Sequence, residues 1–496
     1  MMKTREEIRK KIEEEYRQSE KPRYRILKLR GELFAMNEWP DIPPLEKSKV
    51  LSDLAILYRS VGEFANSIQY FKDALKIDTE INDIERQAYH LGQLGQIYRT
   101  IGKYEEAIRL FSEAVEKNKA IGNQTGYGDD LVNLALTHKA MGRFAEAGTF
   151  FEEVIGLDHD LKHPKDECED LIHIAMLRMD LGKFDEAKNY LEKALDLARK
   201  HHLPSDEAMA QVQLGIYFRE TGDIKNSKIS FRQVLEIHEK ISDASGRLAC
   251  LNYLATARHA LGHSDEAVAD LTEMIEIARV FGYAKHHLMA LEQRADALRD
   301  QGDFEGALAD LEELRLLAES HGVLPVKTTA LLAAGEIYMR FGFAKMAAPN
   351  FEQSLNLSEQ IGDRISEGRS ETGLGRCALE VRNYAKALSH FGKAVKLAGE
   401  LGSLRDEAAG LLWLGRCEML RERAEAARES FTKGMALLPE SVYSDLRAGF
   451  LEELGRIELE TGESAEARKH GKEASTLYEK LGDKAALKRL ESLELV

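Results

Sequence analysis

Apolar and small residues recur along this chain at spacings of three and four, in runs of seventeen or eighteen residues that end at regular intervals on glycine. Between Asp83 and Asn123 the run ERQAYHLGQLGQIYRTIG sets Leu91, Leu94, Gly95 and Tyr98 on one face of a helix. Gly102 ends that helix, as a residue that tolerates positive φ. A second run, KYEEAIRLFSEAVEKNKAIG, places Tyr104, Ala107, Ile108, Phe111, Ala114 and Val115 on one stripe before Gly122 closes it. The pattern then returns every forty residues: Gly62, Gly102, Gly142, Gly182, Gly222, Gly262, Gly302, Gly342 and Gly462 occupy the turn slot, and only Arg382 and Glu422 break the series. A fixed period of this size marks a repeat array, in which each unit buries its apolar face against its neighbours.

The other columns keep the same register. Seven residues before the turn stands a small residue, Ala55, Gly95, Ala135, Ala175 and Gly215 among them; five after it stands alanine in most repeats, with Ser67 and Ser227 as near equivalents. Two small columns let paired helices cross closely, and Phe71, Phe111, Phe151, Phe231, Phe351, Phe391 and Phe431, nine after the turn, fill the remaining space. Asp83, Asp243, Asp363 and Asp483 lie in register where an N-cap would accept the first free amides. Pro164, Pro204 and Pro325 fall between repeats, but Pro349 falls where a second helix should already be running. Either that helix starts late with proline in its first turn, or it is kinked there.

These columns resemble the tetratricopeptide repeat, with its small residue, its turn glycine, and its alanine and aromatic in the second helix. The usual period is 34 and here it is 40. Forty-residue versions are similar to those of kinesin light chains and the Pins/LGN polarity adaptors, most clearly in Gly362-Asp-Arg-Ile-Ser-Glu-Gly-Arg369 and Gly373-Leu-Gly375. HEAT and armadillo repeats share a period near forty, but the turn glycine with alanine five residues later favours the tetratricopeptide reading. The resemblance implies an all-α, right-handed superhelical solenoid of about eleven helix-turn-helix repeats over 44–482. A helical N-terminal cap or degenerate repeat is expected over 1–43, and a capping helix over 483–496.

Composition narrows the function classes. A formal charge of −16 argues against sequence-independent nucleic-acid binding. No apolar run is long enough to span a membrane, and the charged opening MMKTREEIRKK is followed by no apolar stretch of a secretory signal, so a cytoplasmic location is expected. The four cysteines read as reduced core or near-core thiols; Cys377 and Cys417 share one repeat position, and helices about 8–10 Å apart put them beyond disulfide reach. No catalytic motif survives inspection. Gly362–Ser370 has the wrong spacing for a phosphate loop and no preceding strand, and His159 with His163 lack a third metal ligand. No enzyme activity and no cofactor are expected.

In the family the first helix of each repeat lines the concave surface, so unexplained polar side chains are sought there. Three residues before the turn stand Arg59, Arg99, Lys139, Arg219, His259 and Arg299, with Met179 interrupting; where this column turns apolar, Arg376, Arg416 and Arg456 take over six before the turn. Both columns share one helical face. They make a ladder of cations suited to an extended acidic segment or a chain-terminal carboxylate. Asp180, Glu220, Asp300, Glu380 and Glu460 stand in the adjacent column and offer these cations internal partners, in which case the ladder is a solvated surface. Val132, Ile172, Val212 and Leu332 are candidate pockets for a partner helix. The segment Lys3–Arg30, with eleven basic and six acidic side chains, is a further candidate for an acidic partner. The expected function is a protein-interaction scaffold or adaptor that binds a peptide or a partner protein in the groove. The alternative is a sensor whose superhelix changes pitch on binding and controls a separate effector, and self-association is a third possibility.

Overall fold

The computed structural model describes residues 22–38, 42–161, 163–238, 244–439, 442–481 and 483–495. Among these residues every regular element is a helix. Successive helices pair into eleven repeats of two, which we number from repeat 1 (44–80) to repeat 11 (444–481).

Repeat 2 shows how the sequence dictates the unit. Its first helix, Ile84–Thr100, starts on Asp83, whose carboxylate accepts the Arg86 amide at 3.1 Å. The helix ends in a left-handed turn at Gly102 (φ 82°), where the Lys103 amide reaches back to the Tyr98 carbonyl at 2.8 Å; this six-to-one bond satisfies a carbonyl that the helix end leaves open. The second helix, Tyr104–Ile121, then folds back and buries Ala107, Phe111 and Ala114 completely. Gly95 is required by packing: a Cβ there would lie 2.6 Å from the Phe111 ring. The pairing of a small residue with a phenylalanine therefore locks one helix onto the other, and removing such a ring costs about 3–5 kcal/mol. Asp363 and Asp483 cap their helices in the same way as Asp83, while Asp243 lies outside the described residues.

Both ends of the array carry a single helix. Pro22–Glu38 packs Ile26 against Leu54, Leu57 and Tyr58 of repeat 1. Lys484–Ser492 seats Ala486 and Leu490 on Ala448, Leu451, Ala474 and Tyr478 of repeat 11.

One expectation is corrected: repeats do not pack on their neighbours alone. The turn of each of repeats 1 to 5 meets a repeat junction about 220–260 residues further on. The Gly62 carbonyl lies 3.1 Å from His321 Nδ1. A Cβ placed on Gly102, Gly142, Gly182 or Gly222 would come within 3.5 Å of Pro325, Leu401, Leu404 or Ser444 respectively. The coil thus returns on itself after about six repeats, and its two turns share a core: Phe144, Ile174 and Leu177 pack with Leu397 and Leu401, and Phe184 and Tyr217 pack with Tyr443. The residue just before the turn glycine contributes to this contact in repeats 1 and 3, where Val61 meets Gly282 and Met141 meets Gly362. Val61 and Met141 are apolar and buried there (6% and 5% exposed).

The two missing glycines leave the turn unchanged. Arg382 and Glu422 adopt the left-handed conformation themselves, at φ 56° and 60°. Pro349 is the sixth residue of a helix that already begins at Ala344, which excludes the late-start reading. The bond it forfeits would reach the Lys345 carbonyl, and both residues lie on the exposed face, where water replaces the missing donor.

Candidate partner-binding groove

The first helices of adjacent repeats run side by side, and the basic columns reach carboxylates on the same helix or on the neighbouring first helix. Seven of the nine cations of the ladder are engaged with carboxylates. Lys139 pairs with Asp180 at 2.8 Å, Arg219 with Glu220 at 3.7 Å, and His259 with Asp300 at 3.0 Å. Arg299 holds Asp296 and Asp300 at 2.7 and 3.2 Å. Arg376 meets Glu336 at 2.6 Å, Arg416 meets Glu453 at 2.7 Å, and Arg456 lies within 3.7 Å of Glu453 and Glu460. Arg376 and Arg416 also sit over the Trp413 ring, 4.9 and 4.7 Å from its centroid. Exposed pairs of this kind contribute little to stability, and they occupy the cations that a ligand would use.

Arg59 and Arg99 differ. Arg59 donates to Gln93 Oε1 and Gln96 Oε1 at 2.6 and 2.8 Å, and Arg99 donates to the Asn133 carbonyl at 3.4 Å. All three acceptors are neutral. Burial lowers the pKa of both guanidinium groups, that of Arg99 to about 10. Lys285, at the start of the first helix of repeat 7, joins them across the seam, because Ala284 rests on the turn at Gly62. Its side chain is solvent-accessible, yet ringed by protein, and that enclosure together with Arg99 and Arg59 holds its pKa below the ordinary lysine value. His173 is depressed to about 4, first by burial and then by Lys139 and Arg99. Among the described residues, no carboxylate is paired with Arg59, Arg99 or Lys285.

The opposite edge of the same wall is acidic, which the sequence reading did not bring out. A cavity of about 510 Å³ over the first helices of repeats 2 to 4 is lined at one side by Gln93, Gln96 and Asn133, and at the other by Asp130, Asp166 and Glu169. Burial pushes the Asp130 carboxyl up to about 7, against the opposing hydrogen bond from Asn118. The signal was present: acidic residues cluster near the N-terminal ends of these helices, where the helix dipole favours them, while the basic column marks their C-terminal ends. A second cavity, of about 440 Å³, lies over repeats 7 to 10 between Leu332, Ile365, Leu401 and Trp413.

Other candidates fare differently. Val132 and Leu332 line these two cavities, but Ile172 and Val212 are core residues and face no groove. Residues 1–21 and the side chains of His159 and Cys250 lie outside the described residues. Cys168, Cys377 and Cys417 are unpaired and buried, and burial raises all three thiol pKa values, that of Cys168 to about 12. No helix among the described residues is long and apolar enough to cross a membrane.

Family models described as tetratricopeptide repeat match residues 46–120, 86–158, 167–240 and 327–400, together more than half of the chain, and a second such model matches 292–351 and 372–441. A model of anaphase-promoting complex subunit 5 matches residues 231–285. None of these models singles out the kinesin light chain or Pins/LGN type. No curated protein matches the sequence significantly. Among solved structures, yeast Tom70 is 13% identical, with a TM-score of 0.48 over 91% of this chain and 96% of that one. A Rap protein complexed with competence and sporulation factor is 13% identical, with a TM-score of 0.49 over 79% and 98%. Cut9–Hcn1 of the anaphase-promoting complex is 13% identical, with a TM-score of 0.41 over 90% of each chain. Eleven helix pairs with a small column, nine of them with the turn glycine and seven with the second-helix phenylalanine, matched by these models over most of their length, build what is in general a protein–protein interaction scaffold, and the chain belongs to the tetratricopeptide repeat family.

Proposed function

We propose that this protein holds an extended, acidic segment of a partner in its concave groove, with Arg59 and Arg99 as the anchoring residues and Lys285 completing the anion site. The observation that carries this reading is the contrast within one ladder: seven cations already hold carboxylates, whereas Arg59 and Arg99 hold only neutral acceptors, at a place where a third cation faces them. A guanidinium kept from water gains most from a carboxylate, and a charge-assisted hydrogen bond contributes about 1.5–3 kcal/mol. Three or four of these together account for micromolar binding. The acidic far edge favours a segment that turns its carboxylates toward the turn side of the groove. The remaining ladder residues Lys139, Arg219, His259, Arg299, Arg376, Arg416 and Arg456 take part only by exchanging their internal partners for the ligand.

The test is fluorescence anisotropy with a fluorescein-labelled hexaglutamate peptide. Wild type binds in the micromolar range, and Arg59→Glu with Arg99→Glu and Arg219→Glu weakens binding at least about tenfold. No binding by wild type, or equal affinity for the triple variant, overturns the reading.

A further inference from the structure

The seam joins two kinds of edge. One is the turn edge, formed by the turns within repeats; the other is the junction edge, formed by the connections between repeats. The seam covers the turn edge of repeats 1 to 5 with the junction edge of repeats 7 to 11. Half of each edge is left over. On the uncovered turn edge, Phe341, Phe343 and Val381 are 46%, 54% and 59% exposed, and Leu420 is exposed beside them. Val61 and Met141 are the counterparts of Phe341 and Val381 in the covered half, and both are buried. Phe341 meets the Phe304 ring edge-on at 4.6 Å and stacks on Phe343 at 6.1 Å, so the aromatic ledge is already formed. On the uncovered junction edge, Ile81 and Ile121 are exposed. A Cβ on Gly342 or Gly122 would meet nothing within 4 Å, whereas at each of the five covered turns it meets a side chain.

We infer that the two leftover edges bind each other between copies of this chain, which stack end to end by repeating the seam that each copy already contains. The occupant is a second copy because the exposed surfaces continue an interface whose two halves are complementary within the chain itself. The two surfaces differ, so the contact is heterologous and does not close after two copies; it propagates as an open assembly.

Sedimentation velocity of the full chain from low to high micromolar concentration tests this. Wild type gains mass with concentration beyond a dimer. Phe343→Glu with Val381→Glu disables the turn edge, and Ile81→Glu with Ile121→Glu disables the junction edge; all four positions are exposed, and circular dichroism verifies the fold. Each double variant weakens association at least about tenfold. An equimolar mixture of the two variants restores a dimer and stops there, because each retains one intact edge. A wild type that stays monomeric throughout, association undiminished in either variant, or a mixture that fails to pair would each overturn the inference. None of these readouts depends on the groove or its ligand.

Discussion

Tyr443 joins the two turns of the coil, and its removal has a calculable effect. It starts repeat 11, yet it lies 5.6 Å edge-on from Phe184 of repeat 4, and its amide donates to the Glu220 carbonyl of repeat 5 at 3.2 Å. Only 4% of it is exposed. An aromatic side chain buries roughly 200 Å², worth about 5 kcal/mol at 25 cal/mol per Å². Its ring belongs to a cluster drawn from both turns of the coil, so about half of this value, roughly 2 kcal/mol, falls on the seam. Arg405, which pairs with Glu220 at 2.7 Å and covers the Tyr443 ring, is too exposed to add more than about 1 kcal/mol. Alanine is the right replacement because Tyr443 sits at φ 52°; alanine keeps that backbone penalty while glycine would relieve it. Tyr443→Ala should therefore speed amide exchange in the turns at Gly182 and Gly222 by about thirtyfold. Hydrogen exchange read by mass spectrometry resolves this. If exchange rises in repeat 11 alone and stays unchanged over 179–223, the seam contributes nothing and each repeat answers only to its neighbours.

Three further outcomes follow from local structure. Arg382→Gly relieves a left-handed arginine and should stabilise the fold by about 0.5–1 kcal/mol in urea denaturation, the strain released exceeding the added backbone entropy of glycine; a loss of stability would contradict the turn geometry. Pro349→Ala restores the amide bond to the Lys345 carbonyl and should add about 1 kcal/mol, less than the interior proline cost because water already solvates that carbonyl; an unchanged midpoint would mean the helix is already broken there. His173, depressed to about 4, is neutral in the folded chain and charges first when unfolded. The stability it contributes is present above pH 6.5 and is lost as pH falls toward 4. His173→Gln should therefore remove about 1 kcal/mol of the stability lost between those values, after allowance for solvent around the ring; thermal melts across that window decide it.

Fold and period were legible because each repeat carries the same steric problem and the same solution, such as Gly95 under Phe111 or Gly335 under Phe351. The seam was not. Val61 and Met141 read as ordinary apolar residues before a turn, and nothing in a forty-residue period says how many repeats complete one coil, since that follows from small rotations summed over six units. The groove was legible in part. Helical spacing brought Arg59, Arg99 and Lys139 onto one face, but it could not say that Lys139 reaches Asp180 while Arg59 reaches two glutamines. That choice depends on which side chains the next first helix presents and how far they extend. Lys285 carried no signal, because it belongs to another repeat and arrives only when the coil closes.

On the groove reading proposed above, closure and recognition are coupled in this chain. Arg59 and Arg99 stand on one turn of the coil and Lys285 on the next, so the seam brings like charges together and bears their mutual repulsion. An anion seated among them would replace that repulsion with attraction to both sides, and by linkage whatever it gains from closure it returns as seam stability. Adaptor and sensor then differ only in how far the seam is open without ligand: a coil already closed binds and holds its shape, and a coil partly open tightens as it binds. Lys285→Gln separates the contributions. It removes the repulsion, so it should slow exchange at the Gly62 turn in the empty protein, and it should also weaken hexaglutamate binding. Slower exchange with unchanged binding would confine Lys285 to the seam; weaker binding with unchanged exchange would confine it to the groove and remove the coupling.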